Sequence, residues 1–357
     1  MDRVRVGFIG AGRISTLHAL AYEKNPTGDL VAVADTNPVA AKEQAERWGA
    51  RLVFSDYREM LQSPAVDAVE VLLPHNLHVQ VSKEALAAGK HVSLQKPMCL
   101  TMDEANQIVA AADNASSVFR MVENYRTYEP YMRAKAMLES GEIGEPIGMR
   151  VKTIHGKGRG GWEVPSTALG WRADAKIAGG ANSIHDYGAH ITSIIPFFLG
   201  KVEKVHAMAD LSAGVDRFTG SRAVITWKQQ GSNMFGTWDM NESSEFVIDT
   251  KYYPVDEWIE ITGTRGVLWM TRCTARMVDM PPLMMFRGGQ TFSFSDMETD
   301  WGDSFRRAGH EFTAGIVEGK QPQLDARESA HTLAVSLAAA RSAVEHREVT
   351  ISEIAGR

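Results

Sequence analysis

The sequence predicts an α/β protein in two parts, and three observations support this prediction. At 357 residues the chain is longer than a single hydrophobic core normally serves, so two domains are expected. In residues 1–123, short apolar runs alternate with stretches of helical period, which is typical of a parallel sheet between two helical layers. In residues 124–357 the strand-like runs mostly follow one another directly, which favours a large, mostly antiparallel sheet.

The first part contains a regular series of predicted strands and helices. The strands are expected at Val4 to Ile9, Leu30 to Ala34, Arg51 to Phe54, Ala68 to Leu73, His91 to Leu94 and Val118 to Val122. The helices are expected at Asn37 to Trp48, Asn76 to Ala88 and Met102 to Asp113. Gly89 is expected to end the second helix in a left-handed conformation, and Thr101 to cap the third.

The second part begins with an amphipathic helix from Tyr131 to Glu139, which the turn Gly141 to Gly144 closes. Its strands are predicted at Ile147 to His155, Val202 to Asp210, Arg222 to Lys228, Trp258 to Thr262 and Val267 to Thr271. The last helix is predicted from Ala326 to Glu345, where alanine and leucine recur at helical spacing.

Composition and charge argue against several classes of function. The chain has 38 basic and 44 acidic residues without a long basic run, so nucleic acid is not expected as a partner. No apolar stretch reaches the roughly 18 residues of a membrane span, and no basic-then-apolar leader precedes Val4, so we expect neither a membrane anchor nor a signal peptide. The two cysteines, Cys99 and Cys273, cannot form a disulfide framework, which fits the cytoplasm.

A glycine-rich turn joins the first predicted strand to a helix in the string Gly10-Ala11-Gly12-Arg13-Ile14-Ser15. Gly10 permits a tight turn, Gly12 lets the backbone approach a pyrophosphate, and the small Ser15 lets helix and strand pack closely. The amides at the start of the helix favour the negative charge of the phosphates. The strand, the turn and the helix therefore predict a Rossmann dinucleotide-binding domain. His18, on the same helix, is expected to pack or cap locally.

Asp35 indicates which dinucleotide binds. It ends the second strand twenty residues after Ser15, where a carboxylate accepts hydrogen bonds from the adenosine ribose hydroxyls and repels a 2′-phosphate. Thr36 and Asn37 follow it, and Arg13 is the cation within reach of the region. The sequence therefore predicts NAD rather than NADP as the cofactor.

Three further segments resemble a known family. They are Leu73-Pro74-His75-Asn76-Leu77-His78, then Ala88-Gly89-Lys90-His91-Val92-Ser93-Leu94-Gln95-Lys96-Pro97, then Gly179-Gly180 leading to His185-Asp186-Tyr187-Gly188-Ala189-His190. With them the sequence resembles the Gfo/Idh/MocA oxidoreductases over nearly its whole length. The resemblance implies a Rossmann domain followed by an α/β domain whose open sheet often mediates oligomerisation, so a homodimer or homotetramer is expected.

Three residues in these segments are predicted to be catalytic. Lys96 directly follows a strand of the parallel sheet, at the carboxyl edge where such folds bind ligands. The resemblance implies that it reaches the substrate hydroxyl near the nicotinamide, where a cation favours alkoxide character. Asp186 and His190 are four residues apart and would share one face of a helix that has Gly188 in its middle. By resemblance, His190 takes the hydroxyl proton and Asp186 holds or polarises the site.

The cofactor contacts predicted from the motifs and the resemblance are Gly10, Gly12, Arg13, Ile14, Asp35, Pro74, His75, His78, Gln95 and Lys96. Two of these positions depart from the family pattern. Gln95 stands where glutamate is usual, which removes an anion beside Lys96, and His75 stands where asparagine is common.

The side chains predicted to contact the substrate are Lys96, Tyr125, Arg126, His155, Lys157, Arg159, Trp162, Arg172, His185, Asp186 and His190. Aromatic faces beside hydrogen-bonding groups suit a sugar ring, and the resemblance points the same way. The cations Lys157, Arg159 and Arg172 could instead recognise an anionic substituent. The histidines match no compact zinc motif, so no metal is expected.

The sequence leaves three functions open. The first is NAD-dependent oxidation of a ring hydroxyl of a sugar, glycoside or cyclic polyol. The second is an NAD-dependent glycosidase, which oxidises C3 transiently, eliminates the aglycone, adds water and returns the hydride. The third is a non-catalytic protein that senses NAD.

Overall fold

The computed structural model describes residues 2–161, 170–179, 184–210 and 222–356. Its first sheet consists of β1 (Val4–Ile9), β2 (Gly28–Ala34), β3 (Leu52–Phe54), β4 (Ala68–Val71), β5 (His91–Gln95) and β6 (Phe119–Val122). The accompanying helices are α1 (Ser15–Ala19), α2 (Pro38–Trp48), α3 (Tyr57–Gln62), α4 (His78–Ala87) and α5 (Met102–Asp113). The strands pair in parallel in the order β3-β2-β1-β4-β5-β6, which confirms the predicted parallel sheet.

Short polar signals fix the ends of these helices. The Asn37 side chain accepts hydrogen bonds from two backbone amides of the first turn of α2, and Pro38 opens that helix. Thr101 and Glu104 form a reciprocal capping box at the start of α5. Gly89 has a φ of 72°, so the left-handed end predicted after α4 is confirmed. The predicted start of that helix was two residues early, because residues 75–77 form a separate 3₁₀ turn.

The remaining elements follow in chain order. They are α6 (Glu129–Glu139), β7 (Pro146–Arg159), α7 (Ala175–Ala178), α8 (Gly188–Leu199), β8 (Val202–Ala209), β9 (Arg222–Gln229), β10 (Phe235–Asp249), β11 (Val255–Gly263), β12 (Gly266–Met270), β13 (Leu283–Arg287), β14 (Gln290–Phe294), α9 (Trp301–Glu318), α10 (Ala326–Glu345), β15 (Val349–Thr350) and α11 (Ile351–Ala355).

The second sheet has the order β14-β13-β12-β11-β7-β10-β9-β8-β15 within the described residues. Only β7 and β10 pair in parallel there, and the other described neighbours are antiparallel, which confirms the predicted mostly antiparallel sheet. The sequence did not predict β10, which is fifteen residues long. Its polar centre, Asn241 to Glu245, hides the alternation of exposed and buried side chains that marks its first half.

The chain divides into two compact units. The first contains residues 1–124, 166–179 and 302–333, and the second contains residues 125–165, 180–301 and 334–357. These units interleave along the chain, and the domain boundary after residue 123 remains a prediction. No helix among the described residues is both long enough and apolar enough to cross a membrane.

In the first unit a buried ionic cluster ties α1 to the parallel sheet. His18 pairs through Nδ1 with the carboxylate of Glu70 on β4, and the hydroxyl of Tyr22 donates to the same carboxylate. Arg120 on β6 is buried too and donates to the Ser93 hydroxyl and the Ala308 carbonyl. Burial alone would raise the pKa of Glu70, but His18 and Arg120 lower that pKa below its ordinary value.

Glu70→Gln is expected to lower the free energy of unfolding at pH 7 by about 3–5 kcal/mol, because it removes the anion of a buried cluster, which His18 and Tyr22 contact and whose charge acts on Arg120. The pKa of Glu70 is lowered in the folded state, so its stabilisation is present at neutral pH and is lost as the pH falls through that lowered value. Urea unfolding at pH 7 and at acid pH should show that the difference in the free energy of unfolding between wild type and Glu70→Gln becomes smaller in acid. Glu43→Gln, on the exposed face of α2, is the control; equal stability of Glu70→Gln and wild type at pH 7 would contradict the account.

Candidate active site

The glycine-rich turn after β1 has the geometry that its sequence predicts. Gly10 has a φ of 105°, and a Cβ placed on it would lie 2.4 Å from the carbonyl oxygen of Leu72. Gly12 is exposed, and a Cβ there would meet no described atom within 4 Å. Ser15 is buried and its hydroxyl donates back to the Gly12 carbonyl. The turn therefore keeps open space beside Gly12, as close approach of a pyrophosphate requires.

Asp35 closes this turn from the end of β2. One carboxylate oxygen accepts the backbone N–H of Ala11 at 2.8 Å, and the other accepts the N–H of Asn37 at 2.8 Å. A carboxylate has about four acceptor positions, so both oxygens keep capacity for ribose hydroxyls. Arg13 is half-buried, and Ile14 is the residue before α1 and packs on the core. These residues fit the adenosine half of NAD.

Two buried histidines follow β4, His75 in the loop and His78 as the first residue of α4. His75 places Nδ1 3.2 Å from the carbonyl oxygen of Ala178 and packs edge-on against Trp171, with ring centroids 4.9 Å apart. Trp171 and Arg172 thus belong to the first unit, and the Arg172 guanidinium lies over the Trp171 ring. The predicted division after residue 123 puts this segment in the second part of the chain, which differs from the compact unit to which it belongs. Pro74 precedes the 3₁₀ turn that contains His75.

His78 connects this loop with the one that carries Lys96. Its Nε2 lies 2.9 Å from the Leu73 carbonyl oxygen, and its Nδ1 lies 2.9 Å from that of Pro97. Burial lowers the pKa of His78, and the charge of Lys96 lowers it further. The ring is fully buried, so we expect His78 to influence the cofactor through the two loops that it joins.

Lys96 lies directly after β5, at the carboxyl edge of the parallel sheet. The Gln95 side chain accepts a hydrogen bond from the backbone N–H of Lys96 at 2.9 Å. The amide that replaces the usual glutamate thus holds the backbone from which the lysine side chain extends. The peptide between Lys96 and Pro97 is cis.

In the second unit His190 lies in the first turn of α8. Its ring stacks on Tyr125 at a centroid distance of 4.2 Å and an interplanar angle of 11°. The helix begins at Gly188, so the prediction of Gly188 in the middle of the helix is wrong. A glycine inside a helix costs about 1 kcal/mol relative to alanine. Gly188 is the first residue of α8 and not an interior residue, so this cost is reduced. Asp186 is half-buried in the preceding turn, and His185 beside it is buried.

Buried polar contacts hold α8 in place. Arg126 donates from Nε to the Ser193 hydroxyl at 2.9 Å and from Nη2 to the Ser193 carbonyl at 2.8 Å. The hydroxyls of Thr192 and Ser336 on α10 are 3.0 Å apart. The sequence predicts Tyr125 and Arg126 as substrate contacts, and this stays a prediction; in the structure both side chains are buried against α8.

Glu257 on β11 is a buried carboxylate beside Tyr125 that the sequence did not reveal. It is fully buried, accepts the hydroxyl of Tyr125 at 2.7 Å, and accepts the backbone N–H of Thr274 at 3.0 Å. Burial raises the pKa of Glu257 to about 7. A single glutamate in a strand gives no signal in the sequence, because its burial depends on which strands flank it.

The side chains predicted for the substrate on β7 differ in their surroundings. His155 packs edge-on against Tyr187 at 4.4 Å, and burial lowers the pKa of His155 to about 4. Arg159 is exposed and pairs with Asp249 through Nε and Nη2, while Lys157 is exposed. Trp162, the other predicted aromatic contact, lies outside the described residues.

Metal coordination finds no support in the parts of the chain that the structure describes. Within them, no three His, Cys, Asp or Glu side chains are grouped so that they could hold a metal ion.

Comparison with known proteins gives two family matches. Residues 4–123 match a family described as "Oxidoreductase family, NAD-binding Rossmann fold", and residues 131–269 match one described as "GFO/IDH/MocA C-terminal domain". The first unit therefore contains an NAD-binding Rossmann domain, as the sequence predicted.

Individual relatives are named as dehydrogenases. The chain is 29% identical over 217 residues to levoglucosan dehydrogenase of Pseudarthrobacter phenanthrenivorans, an alignment that covers 58% of this chain and 54% of that enzyme. It is 25% identical over 362 residues to myo-inositol 2-dehydrogenase of Thermotoga maritima, covering 99% and 100%. A structure of levoglucosan dehydrogenase with NADH and L-sorbose matches the fold with a TM-score of 0.83 at 22% identity, covering 99% and 100%. These relatives give no support to the glycosidase alternative.

Gly10→Ala and Gly12→Ala are expected to separate folding from cofactor binding. Gly10→Ala forces a Cβ against the Leu72 carbonyl at positive φ, so it should lower the free energy of unfolding by about 2 kcal/mol or more. Gly12→Ala meets open space, so its stability should stay within about 1 kcal/mol of wild type. Its Cβ nevertheless occupies the space left for the pyrophosphate, so we expect NAD affinity to fall at least about tenfold.

Urea unfolding and titration calorimetry with NAD measure these two effects separately. Unchanged NAD binding by Gly12→Ala would show that the cofactor does not approach this turn.

Proposed function

Since this chain belongs to the Gfo/Idh/MocA oxidoreductase family, we propose that it oxidises a ring hydroxyl of a sugar, glycoside or cyclic polyol by hydride transfer to NAD⁺. The proposal names the substrate class more narrowly than family membership does. It takes support from the two relatives named for levoglucosan and myo-inositol.

One observation carries the proposal: the predicted cofactor and catalytic loops follow three neighbouring strands of the parallel sheet. The glycine-rich turn follows β1, the loop of His75 follows β4 and Lys96 follows β5, and these strands are adjacent in the order β1-β4-β5. The carboxyl ends of parallel strands meet at one edge, which is where open α/β sheets bind ligands. A lysine at that edge in an NAD-binding domain lies where it can act on a group beside the cofactor.

The reaction converts an alcohol and NAD⁺ into a ketone, NADH and a proton. Bound NAD⁺ supplies the acceptor for the hydride that leaves the carbinol carbon. In our proposal Lys96 donates a hydrogen bond to the hydroxyl oxygen and stabilises its developing negative charge. His190 takes the hydroxyl proton on its ring, and histidine suits this role because its ordinary pKa is near about 6.5. Asp186, in the turn before α8, holds or polarises the site.

The side chains proposed for the substrate favour a neutral ring over an anion. Trp171 is half-buried and packs on His75 in the first unit, so an aromatic side chain lies beside the loop that follows β4. Among the three cations, Arg159 pairs with Asp249 and Arg172 lies over Trp171. The pairing with Asp249 makes Arg159 less available to a carboxylate or phosphate. We also propose, from the sequence and the family, a cytoplasmic homodimer or homotetramer.

Asp35→Asn is expected to weaken NAD binding about 10- to 100-fold, because it removes a charge-assisted hydrogen bond to the ribose. The ratio of NAD to NADP affinity should shrink at the same time, since the anion that repels a 2′-phosphate is gone. Calorimetric titration with NAD and NADP checks both. Asp113→Asn, in the exposed pair with Arg327, makes the same change of charge and should leave both affinities unchanged. An Asp35→Asn protein with the wild-type ratio would refute the role given to Asp35.

The activity itself is tested by NADH formation from NAD⁺ with a panel of levoglucosan, myo-inositol and other sugars, glycosides and cyclic polyols. Wild type should reduce NAD⁺ with at least one of them. Lys96→Met and His190→Asn should each lower kcat at least about 100-fold while NAD binding persists, because each removes a group that acts on the hydroxyl. Lys83→Met, whose exposed lysine bonds Gln107, is the control and should keep wild-type activity.

Absence of NADH across the panel would refute the proposed substrate class. Full activity of both variants would refute the roles of the two residues.

A further inference from the structure

The carboxylate of Glu257 is the point at which several buried groups of the second unit converge. Its Oε1 accepts the hydroxyls of Tyr125 at 2.7 Å and Tyr187 at 3.4 Å. The Thr274 hydroxyl lies within 3.0 Å of both carboxylate oxygens, and the Thr274 N–H donates to Oε2. Thr274 alone could compensate part of the burial of this carboxylate. The two tyrosines come from different segments, one before α6 and one before α8. If Glu257 only fixed the neighbouring Thr274 segment, hydrogen bonds from these two tyrosines would not be needed.

Each of the two tyrosines packs against a histidine that the proposed function uses. Tyr125 stacks face to face on His190 at 4.2 Å, and Tyr187 meets the edge of His155 at 4.4 Å and His190 at 5.9 Å. Glu257 is therefore one hydrogen bond and one ring contact away from the proposed base.

We propose that Glu257 is a positioning residue for His190, which it orients and makes more basic through the hydroxyl and ring of Tyr125. This inference rests on the proposed function, because it is the proposed function that makes His190 the base. It adds Glu257 to the proposed site and makes the basicity of His190 depend on whether Glu257 is protonated.

The physical effect has a definite sign. An ionised Glu257 accepts the Tyr125 hydroxyl and increases the negative charge on the face of the tyrosine ring. A cation over an aromatic face is stabilised by that charge, and a nearby buried anion attracts it further. Both effects favour the imidazolium form of His190, the form it reaches by taking the hydroxyl proton. Protonation of Glu257 removes both effects.

The Glu257 carboxyl can gain or lose its proton near neutral pH. Burial raises the pKa of Glu257 to about 7, with a smaller contribution from Asp256, which Lys152 approaches to 3.3 Å. The titratable and charged groups that face this network from the surrounding elements are Tyr125, Tyr128, Tyr131, Tyr187, Cys273, Asp256, His155 and His190, with Arg272 and Glu298 near Tyr128. Burial raises the pKa of the four tyrosines, so they stay protonated as donors while Glu257 titrates.

The test uses the titration of His190 in the whole protein, followed by NMR of isotope-labelled histidine without substrate. The His190 signal is identified by its loss in His190→Asn. In Tyr125→Phe, which keeps the stacked ring and removes the hydroxyl, the midpoint should fall by about 0.5 pH unit or more. Glu257→Gln should shift it in the same direction.

Tyr131→Phe is the matched control. It also removes a buried tyrosine hydroxyl, from a ring that lies 6.2 Å edge-on from Tyr125, but that hydroxyl forms no hydrogen bond with any described group, Glu257 included. Its His190 midpoint should equal that of wild type. If Glu257→Gln fails to fold, Tyr125→Phe and its control still decide the question. Equal midpoints in Tyr125→Phe and wild type, or an equal shift in Tyr131→Phe, would overturn the inference.

The pH dependence of NADH formation distinguishes the role of Glu257 from the proposed function. With any substrate that yields NADH, the acid limb of the kcat/KM profile should move to lower pH in Tyr125→Phe and Glu257→Gln and stay in place in Tyr131→Phe. NADH formation without a shift of the midpoint or of this limb leaves the proposed function standing and overturns the role of Glu257. A shifted midpoint without NADH from any substrate supports the coupling and counts against the proposed function.

Discussion

The close approach of two backbone segments at one edge of the parallel sheet is the constraint on which the first unit depends. The turn after β1 passes so near the carbonyl of Leu72 that only glycine fits at position 10. This passage directs the chain over Gly12 and into α1, and the contact of His18 with the buried Glu70 then fixes that helix. Contacts within the protein itself thus hold the turn, which lowers the cost of ordering it when a cofactor binds.

In the second unit, buried side chains rather than a close backbone contact hold the residues proposed to act on the substrate. Helix α8 is enclosed, since every residue from Gly188 to Ile195 is buried, so neighbouring side chains rather than solvent set its position. Arg126 holds it through Ser193, and Tyr125 holds the ring of His190. Buried polar contacts limit the motion of the His190 side chain, which favours the fixed geometry that its proposed role in proton transfer needs.

The sequence predicted the parts of the structure that local chemistry determines. The bounds of β1, α5 and α10 follow from apolar periodicity and caps, and NAD binding follows from the glycine-rich turn. It did not predict β10, whose polar residues hide its alternation, or the place of Trp171 beside His75, which depends on distant packing. It also could not find Glu257, because only the tertiary structure shows that this glutamate is buried under two tyrosines.

The central claim is that this chain transfers hydride from a ring carbon of a sugar or cyclic polyol to NAD⁺. The most direct measurement uses levoglucosan, myo-inositol and related substrates that carry deuterium on their ring carbinol carbons, with mass spectrometry of the nicotinamide after reaction. The account predicts one deuterium in the reduced cofactor, from one ring position of an accepted substrate, together with the corresponding ketone. Reduced cofactor without deuterium, or no reduced cofactor with any of these substrates, would contradict it.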